Sequence, residues 1–129
     1  MKKIVVVVDD DASIRKTFFL ILNRDYRVYL AGSAEEALQR FKHKPVDLII
    51  SDLKLPDRNG LEMISEFRHT GYMGEVICVS SFPELASPVD LQRLNIKHLF
   101  AKPLDLDALH HAIEALLEPP ESLSNPLLP

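Results

Sequence analysis

Three consecutive carboxylates, Asp9 to Asp11, directly follow a run of five β-branched residues, Ile4 to Val8. The run has no polar alternation, which is typical of a strand buried on both faces in a helix-covered parallel sheet. Carboxylates are excluded from the interior of such a strand, so they must lie where it emerges, at the carboxyl edge of the sheet. Crowded acids repel one another, and a bound hard cation would remove that cost. The stretch therefore predicts a cation site at the end of a buried strand.

Three more polar side chains follow apolar runs further along the chain. Asp52 follows "VDLIIS", Ser80 follows "EVICV" and Lys102 follows "HLFA". Carboxylates with a nearby backbone carbonyl suit Mg²⁺, whose coordination is commonly completed by phosphate oxygens. In-line transfer of a phosphoryl group to a carboxylate needs an ionised nucleophile, a divalent ion and further donors. If the carboxylates, the Ser80 hydroxyl and the Lys102 ammonium lie close together in the fold, they can form a site for a phosphoryl group.

Five apolar runs of β-strand character alternate with segments of helical spacing. The runs are Ile4 to Val8, Arg27 to Ala31, Val46 to Ser51, Val76 to Ser80 and His98 to Ala101. Strict alternation, with five helices, predicts a parallel sheet with right-handed crossovers and helices on both faces. In such a doubly wound α/β domain, the ends of the first and third strands meet where the winding reverses. We therefore expect Asp52 to face Asp9 and Asp10.

Local signals predict where several helices begin. Asp11 is expected to be a helix cap or an exposed acid rather than a metal ligand, and Ser33 with Glu36 three residues later predicts a capping box on the second helix. Proline is disfavoured inside a helix, so we expect a short fourth helix from Pro88 to Leu94, capped by Ser87. The apolar positions of the last helix are predicted to face the core, namely Leu106, Leu109, Ile113 and Leu116.

Composition excludes several classes of protein. The 129 residues, 47% of them hydrophobic, fit one compact domain, and a formal net charge of −4 gives no general attraction for nucleic acid or anionic membranes. No apolar run approaches membrane-spanning length, so a cytoplasmic location is expected. The lone cysteine, Cys78, lies in an apolar run and is predicted to be a core residue. The five histidines lack metal-ligand spacing, so neither a zinc site nor a catalytic histidine is expected.

Four separated segments, in order, carry a family resemblance: "VVDDD", "DLIISDLKLPDRNG", "VSS" and "AKP". From Lys3 to about Leu117 the sequence resembles the receiver domain of the two-component response-regulator family. The resemblance implies a flavodoxin-like sheet with strand order 2-1-3-4-5 and five helices. We expect the receiver domain at 1–118 and a proline-rich tail or truncated linker at 119–129.

The resemblance also implies the chemistry of the site. Asp52 would be the phosphoacceptor, Ser80 would contact the phosphoryl group and Lys102 would pair with it. A sensor histidine kinase or a phosphotransfer protein would supply the phosphoryl group, and no external substrate would be turned over. In this family the peptide bond after the lysine is usually cis, so a cis bond is expected at Lys102-Pro103.

The resemblance implies a Mg²⁺ site beside the phosphoacceptor. Asp10 would be a direct ligand, Asp9 its water-bridged companion, and Asp52 together with the carbonyl oxygen of Lys54 would complete the protein's share. Lys54 and Phe82 also occupy positions that in the family tune the lifetime of the phosphoryl group.

Departures from the family pattern cluster on the face expected to carry the signal. By analogy, the fourth helix, fifth strand and fifth helix contact an output domain or partner protein, and homodimerisation is left open. Relatives usually carry Tyr or Phe three residues before the lysine, but Leu99 lies there, with Phe100 next to it as a compensating candidate. Ser81 replaces a smaller residue, and "SFPELASP" adds two prolines.

Two other functions remain open on the sequence. The missing aromatic residue allows a receiver-like adaptor that binds a partner without regulated phosphorylation. A phosphotransferase or phosphatase with an Asp nucleophile is disfavoured, because haloacid-dehalogenase-like enzymes carry a second Asp two residues later, where this chain has Lys54.

Overall fold

The computed structural model describes residues 1–118, which form five strands and five helices in strict alternation, with one 3₁₀ turn at Pro83–Leu85 before the fourth helix. The strands are β1 (Ile4–Val8), β2 (Arg27–Ala31), β3 (Leu48–Asp52), β4 (Glu75–Ser80) and β5 (His98–Ala101). The helices are α1 (Ala12–Leu22), α2 (Ala34–Phe41), α3 (Gly60–His69), α4 (Pro88–Arg93) and α5 (Leu106–Leu117). The predicted tail at 119–129 lies outside the described residues.

All five strands are parallel and lie in the order β2-β1-β3-β4-β5, which confirms the predicted doubly wound α/β fold. The order reverses at β1, because β1 pairs with β2 on one side and β3 on the other. Val8 at the end of β1 is in register with Ser51 of β3. The next residues, Asp9 and Asp52, therefore leave the sheet side by side at the switch point.

Each face of the sheet has its own hydrophobic layer because side chains alternate along every strand. On one face Val5, Val7, Leu48 and Ile50 pack with buried residues of α1 and α5. On the other face β1, β3 and β4 pack against α2, α3 and the segment around α4. The two layers account for the unbroken apolar runs of the central strands, since both faces of those strands are covered.

The helix starts agree with the sequence signals, with one correction. Asp11 Oδ1 accepts the Ser13 N–H at 2.8 Å, and Ser87 with Asp90 forms a complete capping box on α4. In α2 the predicted box is incomplete: Ser33 caps the helix, but Glu36 accepts the Gly32 N–H at 2.8 Å instead of returning to the backbone of Ser33. The Gly32 N–H therefore gains an acceptor, and the hydrogen bond from the Ser33 N–H to Glu36 is not formed.

Element limits differ from the sequence analysis at a few positions. β3 begins at Leu48 rather than Val46, and just before it the Asp47 carboxylate accepts the N–H of Ile4 at 2.7 Å. Leu106 is 41% exposed although it was predicted to face the core. It is the first residue of α5, whereas Leu109 and Ile113, further along the helix, are buried as predicted.

Cys78 is fully buried in β4, as predicted. Burial, reinforced by the negative charge of Asp52, raises the pKa of its thiol to about 12. None of the helices described within 1–118 has the length and hydrophobicity needed to cross a membrane.

Candidate functional site

A single ammonium group links two buried carboxylates at the carboxyl edge of the sheet. Lys102 Nζ lies 2.9 Å from Asp9 Oδ2 and 2.8 Å from Asp52 Oδ2. The Asp9 side chain is 1% exposed and the Lys102 side chain 14%. Bulk water therefore screens these charges only weakly, and the three groups form one electrostatic unit.

The second oxygen of each carboxylate accepts a backbone N–H. Asp9 Oδ1 accepts from Asp11 at 2.9 Å, and Asp52 Oδ1 accepts from Lys54 at 3.1 Å. The Arg15 guanidinium also donates to the carbonyl oxygen of Asp9 at 2.7 Å. Both acids are thus held at two points, which fixes the direction in which their carboxylates face.

Strand alternation explains why these three side chains meet. Asp52 continues the row of Leu48 and Ile50 on β3, and Lys102 continues the row of Phe100, all toward the α1 and α5 layer. Asp9 follows Val5 and Val7 in the same way. A shift of one residue in any strand would turn that group toward the opposite layer.

Asp10 completes a group of three carboxylates. One oxygen from each of Asp9, Asp10 and Asp52 can lie within 4.8 Å of the other two. Asp10 is exposed and lines an open cleft of about 240 Å³. Three carboxylate oxygens at this spacing are a hard-oxygen donor set of the kind that holds a divalent ion.

Burial and neighbouring charges act in opposite directions on the pKa values of Asp9 and Lys102. Burial, with a smaller contribution from the charge of Asp52, raises the pKa of Asp9 despite its hydrogen bonds to Lys102 and to the Asp11 N–H. Burial alone would lower the pKa of Lys102, but its hydrogen bonds to Asp52 and Asp9 outweigh this and raise it. Lys102 is therefore a permanent cation at neutral pH.

Ser80 lies at the same edge, with its hydroxyl directed elsewhere. It is fully buried, and its Oγ accepts the Phe82 N–H at 2.9 Å. The residues of the cleft wall beside Asp52 on this side are Ser81 and Phe82. Of the predicted site residues, the structure therefore brings Asp9, Asp52 and Lys102 into direct contact and leaves the Ser80 hydroxyl bonded within its own loop.

Leu99 and Phe100 face opposite layers of the protein. Leu99 packs on the face that carries α3 and α4, where Ser80 also lies by strand alternation, whereas Phe100 packs on the α1 and α5 face. The Phe100 ring stacks on His98, with centroids 5.9 Å apart. Phe100 cannot take the place of an aromatic residue at position 99, because it lies on the wrong side of β5.

Three neighbours of the acids make contacts that the sequence alone does not show: Lys54 and Phe82, which were expected to tune the phosphoryl lifetime, and Gly60, for which no role was expected. Phe82 lines the cleft, and Lys54 Nζ lies 5.2 Å from the centroid of its ring. Gly60, the first residue of α3, packs against the backbone of Asp52, where a Cβ would overlap the Asp52 carbonyl oxygen. A glycine in a sequence marks backbone freedom or close approach, but only the folded structure shows which group approaches it.

Comparison with known families and proteins agrees with this geometry. Residues 5–114 match the model of the response regulator receiver domain. Transcriptional regulatory protein GlrR of Escherichia coli K12 is 30% identical over 88% of this chain, which spans only 26% of GlrR. Sporulation initiation phosphotransferase F of Bacillus subtilis is 26% identical over 91% of this chain and 95% of its own length.

Solved structures show the same architecture. The response regulator TrrA of Thermotoga maritima, crystallised in complex with Mg²⁺-BeF, has a TM-score of 0.79 and 28% identity, covering 89% of this chain and 99% of that one. A response regulator receiver protein of Pseudomonas putida has a TM-score of 0.77 and 30% identity, covering 88% and 97%.

Replacing Gly60 with alanine tests how closely the backbone of Asp52 is packed. The added methyl group must displace the Asp52 carbonyl or move the start of α3, and overpacking of this kind costs about 1–3 kcal/mol. We expect a lower melting temperature and a smaller rise in that temperature on adding Mg²⁺, measured by thermal unfolding.

Gly71→Ala is the matched control. Gly71 has φ of +103° with open space around the missing Cβ, so alanine there costs about 1–3 kcal/mol through backbone strain alone. It lies after α3, at the other end of that helix from Asp52. An equal Mg²⁺ response in the two variants would contradict the link between Gly60 and the acidic group.

Proposed function

Because the chain belongs to the response-regulator receiver domain family, we propose that it is a phosphoryl-accepting signalling switch with Asp52 as the phosphoacceptor. Residues 1–118 form the receiver domain in this proposal. The ion-paired group of Asp9, Asp52 and Lys102 at the switch point is the observation that supports it most strongly. Phosphorylation by a kinase is the family role, and the cognate donor we propose is a sensor histidine kinase or a phosphotransfer protein in the cytoplasm.

We assign the metal site to Asp9, Asp10, Asp52 and the carbonyl oxygen of Lys54. The hard-oxygen donors and the spacing of the three carboxylates fit Mg²⁺. When bound there, Mg²⁺ would neutralise charge on the phosphoryl oxygens as they approach the acids. Asp10, which is exposed at the cleft, suits a direct ligand, and the buried Asp9 suits a role through water.

The residues of the chain prepare Asp52 for attack. A hydrogen bond to each oxygen, from Lys102 Nζ and from the Lys54 N–H, fixes the orientation of the carboxylate at the cleft. A carboxylate oxygen attacks the phosphorus of a phosphohistidine, the P–N bond breaks, and its electron pair leaves with the imidazole nitrogen, which takes up a proton. The product is an acyl phosphate, which water later hydrolyses at phosphorus to restore the carboxylate.

The new phosphoryl oxygens would attract Lys102 and offer an acceptor to the Ser80 hydroxyl. Phosphorylation converts the carboxylate, with a charge of −1, into an acyl phosphate with a charge of about −1.5 to −2. The Ser80 hydroxyl can donate to a phosphoryl oxygen while its oxygen still accepts the Phe82 N–H, so a movement of Ser80 toward the phosphoryl group would draw the loop before α4 with it. The proposed output surface is α4, β5 and α5, with an output domain, a partner protein or a second copy as the contact.

The phosphoacceptor is tested by intact-mass spectrometry after incubation with acetyl phosphate. We expect one phosphoryl group on the wild-type protein with Mg²⁺, none with EDTA, and none on Asp52→Asn, because the amide cannot act as the nucleophile. Circular dichroism of Asp52→Asn controls for folding. If a folded wild-type protein with Mg²⁺ gains no phosphoryl group, even transiently, the adaptor function takes precedence.

Phe82→Ala should shorten the life of the acyl phosphate. The Phe82 ring lines the cleft and lies against Lys54 Nζ, so its loss opens a path for water to the phosphorus. We expect a several-fold faster loss of the phosphoryl group, followed by mass spectrometry after removal of acetyl phosphate.

Leu85→Ala is the control for this variant. Leu85 has the same 46% exposure in the same loop but does not line the cleft beside Asp52. The role of Phe82 is refuted if both variants hydrolyse at the wild-type rate or if both are accelerated equally.

A further inference from the structure

Asp57 caps a helix to which it is not adjacent in sequence. Its Oδ1 accepts the Ala34 N–H at 3.0 Å, and its Oδ2 accepts the Glu35 N–H at 2.8 Å. These are the first two N–H groups of α2, and the third, that of Glu36, is satisfied by Ser33 Oγ at 3.1 Å. The N-terminus of α2 is therefore capped jointly by its own residue and by a carboxylate from the loop after β3.

The loop that carries Asp57 begins directly after the phosphoacceptor. It closes on itself through a bridge between Lys54 and Asn59 and through the Gly60 N–H, which donates to the Leu53 carbonyl at 2.7 Å. Its first part contains the Lys54 peptide, whose N–H holds Asp52 Oδ1. Residues 53–59 thus form a compact unit with the site at one end and Asp57 near the other.

Besides the buried side chains of Leu53 and Leu55 and the Asn59 cap on α3, two charged side chains tie this unit to neighbouring helices. Arg58 pairs with Glu66 of α3 at 2.9 Å, with both side chains about one-third exposed, and ion pairs of this kind contribute little. Asp57 is also exposed, but its two charge-assisted hydrogen bonds go to fixed backbone groups at the positive end of the α2 dipole, and neither requires a second long side chain to be ordered. Leu53 and Leu55 anchor the first part of the loop in the core, and Asp57 is the polar contact that holds its exposed part on α2.

We infer that Asp57 is a positioning residue for the phosphorylation site, acting through the loop 53–59. By holding this loop on the N-terminus of α2, it orients the Lys54 peptide, whose N–H contacts Asp52 and whose carbonyl is assigned to the metal. The role of the Lys54 carbonyl toward the metal rests on the proposed function. The contact of the Lys54 N–H with Asp52 does not. An ordinary helix cap would stabilise α2 without affecting the N–H or the carbonyl of Lys54.

The test compares Asp57→Ala with Ser33→Ala, which removes the other half of the same cap without touching the loop. The measurements are the melting temperature, the Mg²⁺ dissociation constant by calorimetry, and amide hydrogen exchange of the metal-free proteins. We expect similar losses of melting temperature, but an Mg²⁺ dissociation constant raised about tenfold only in Asp57→Ala. The Lys54 N–H should exchange faster only in that variant.

Asp57→Asn provides a milder variant should Asp57→Ala fold poorly. Its amide oxygen can still accept one N–H of α2, so its Mg²⁺ affinity should lie between those of the wild type and Asp57→Ala. The inference is overturned if the Asp57 variants keep wild-type Mg²⁺ affinity and Lys54 exchange, or if Ser33→Ala changes both as strongly. If the wild-type protein binds no Mg²⁺, the metal assignment fails, and Lys54 exchange in the metal-free proteins still decides the inference.

Discussion

Repulsion between carboxylates at the end of the sheet is the constraint on which this structure depends. At a separation of no more than 4.8 Å and an effective dielectric constant of about 20, two such charges repel by at least about 3 kcal/mol. That is a large fraction of the stability of a small domain. Lys102 offsets the repulsion between Asp9 and Asp52, and backbone N–H groups take up the remaining oxygen of each. Asp10 adds a third charge at the open side, where a divalent ion can approach.

Much of this arrangement could be predicted from sequence because it follows from periodicity. The apolar runs identify the strands, their alternation with helices dictates a parallel sheet, and the side-chain period of two determines which groups face the same layer. The positions of Asp9, Asp52 and Lys102 follow from these rules, as does the capping of α4 by Ser87.

The features that escaped prediction depend on contacts between distant segments or on choices among equivalent partners. Asp57 caps α2 from 23 residues away, and nothing in the local sequence distinguishes it from an ordinary loop acid. Glu36 could accept from the N–H of either Gly32 or Ser33, and in the structure it accepts from Gly32. Ser80 satisfies its hydroxyl within its own loop, and this choice becomes visible only once the loop before α4 has a conformation.

Transmission of a signal from this site faces a particular restriction. Ser80 and Leu99 share the layer that contains α3 and α4, but Leu99 has no ring whose rotation could follow a movement of Ser80. None of the residues within α4 is buried and the helix carries its own complete cap, but Ala86 and Leu94 on either side of it are buried in the core, so a shift of α4 would have to move both. The loop from Ser81 to Ser87 is the direct covalent link from Ser80 to that helix.

Thermal unfolding of Lys102→Ala in EDTA and in Mg²⁺ tests most directly whether carboxylate repulsion governs this site. Lys97→Ala is the control, because it removes a half-exposed ion pair with Glu75 on the surface. The account predicts that Lys102→Ala melts below the wild type and the control in EDTA and gains more than either from Mg²⁺, since the metal then replaces the missing cation. Melting of Lys102→Ala at the wild-type temperature in EDTA, or an equal Mg²⁺ gain in all three proteins, would contradict it.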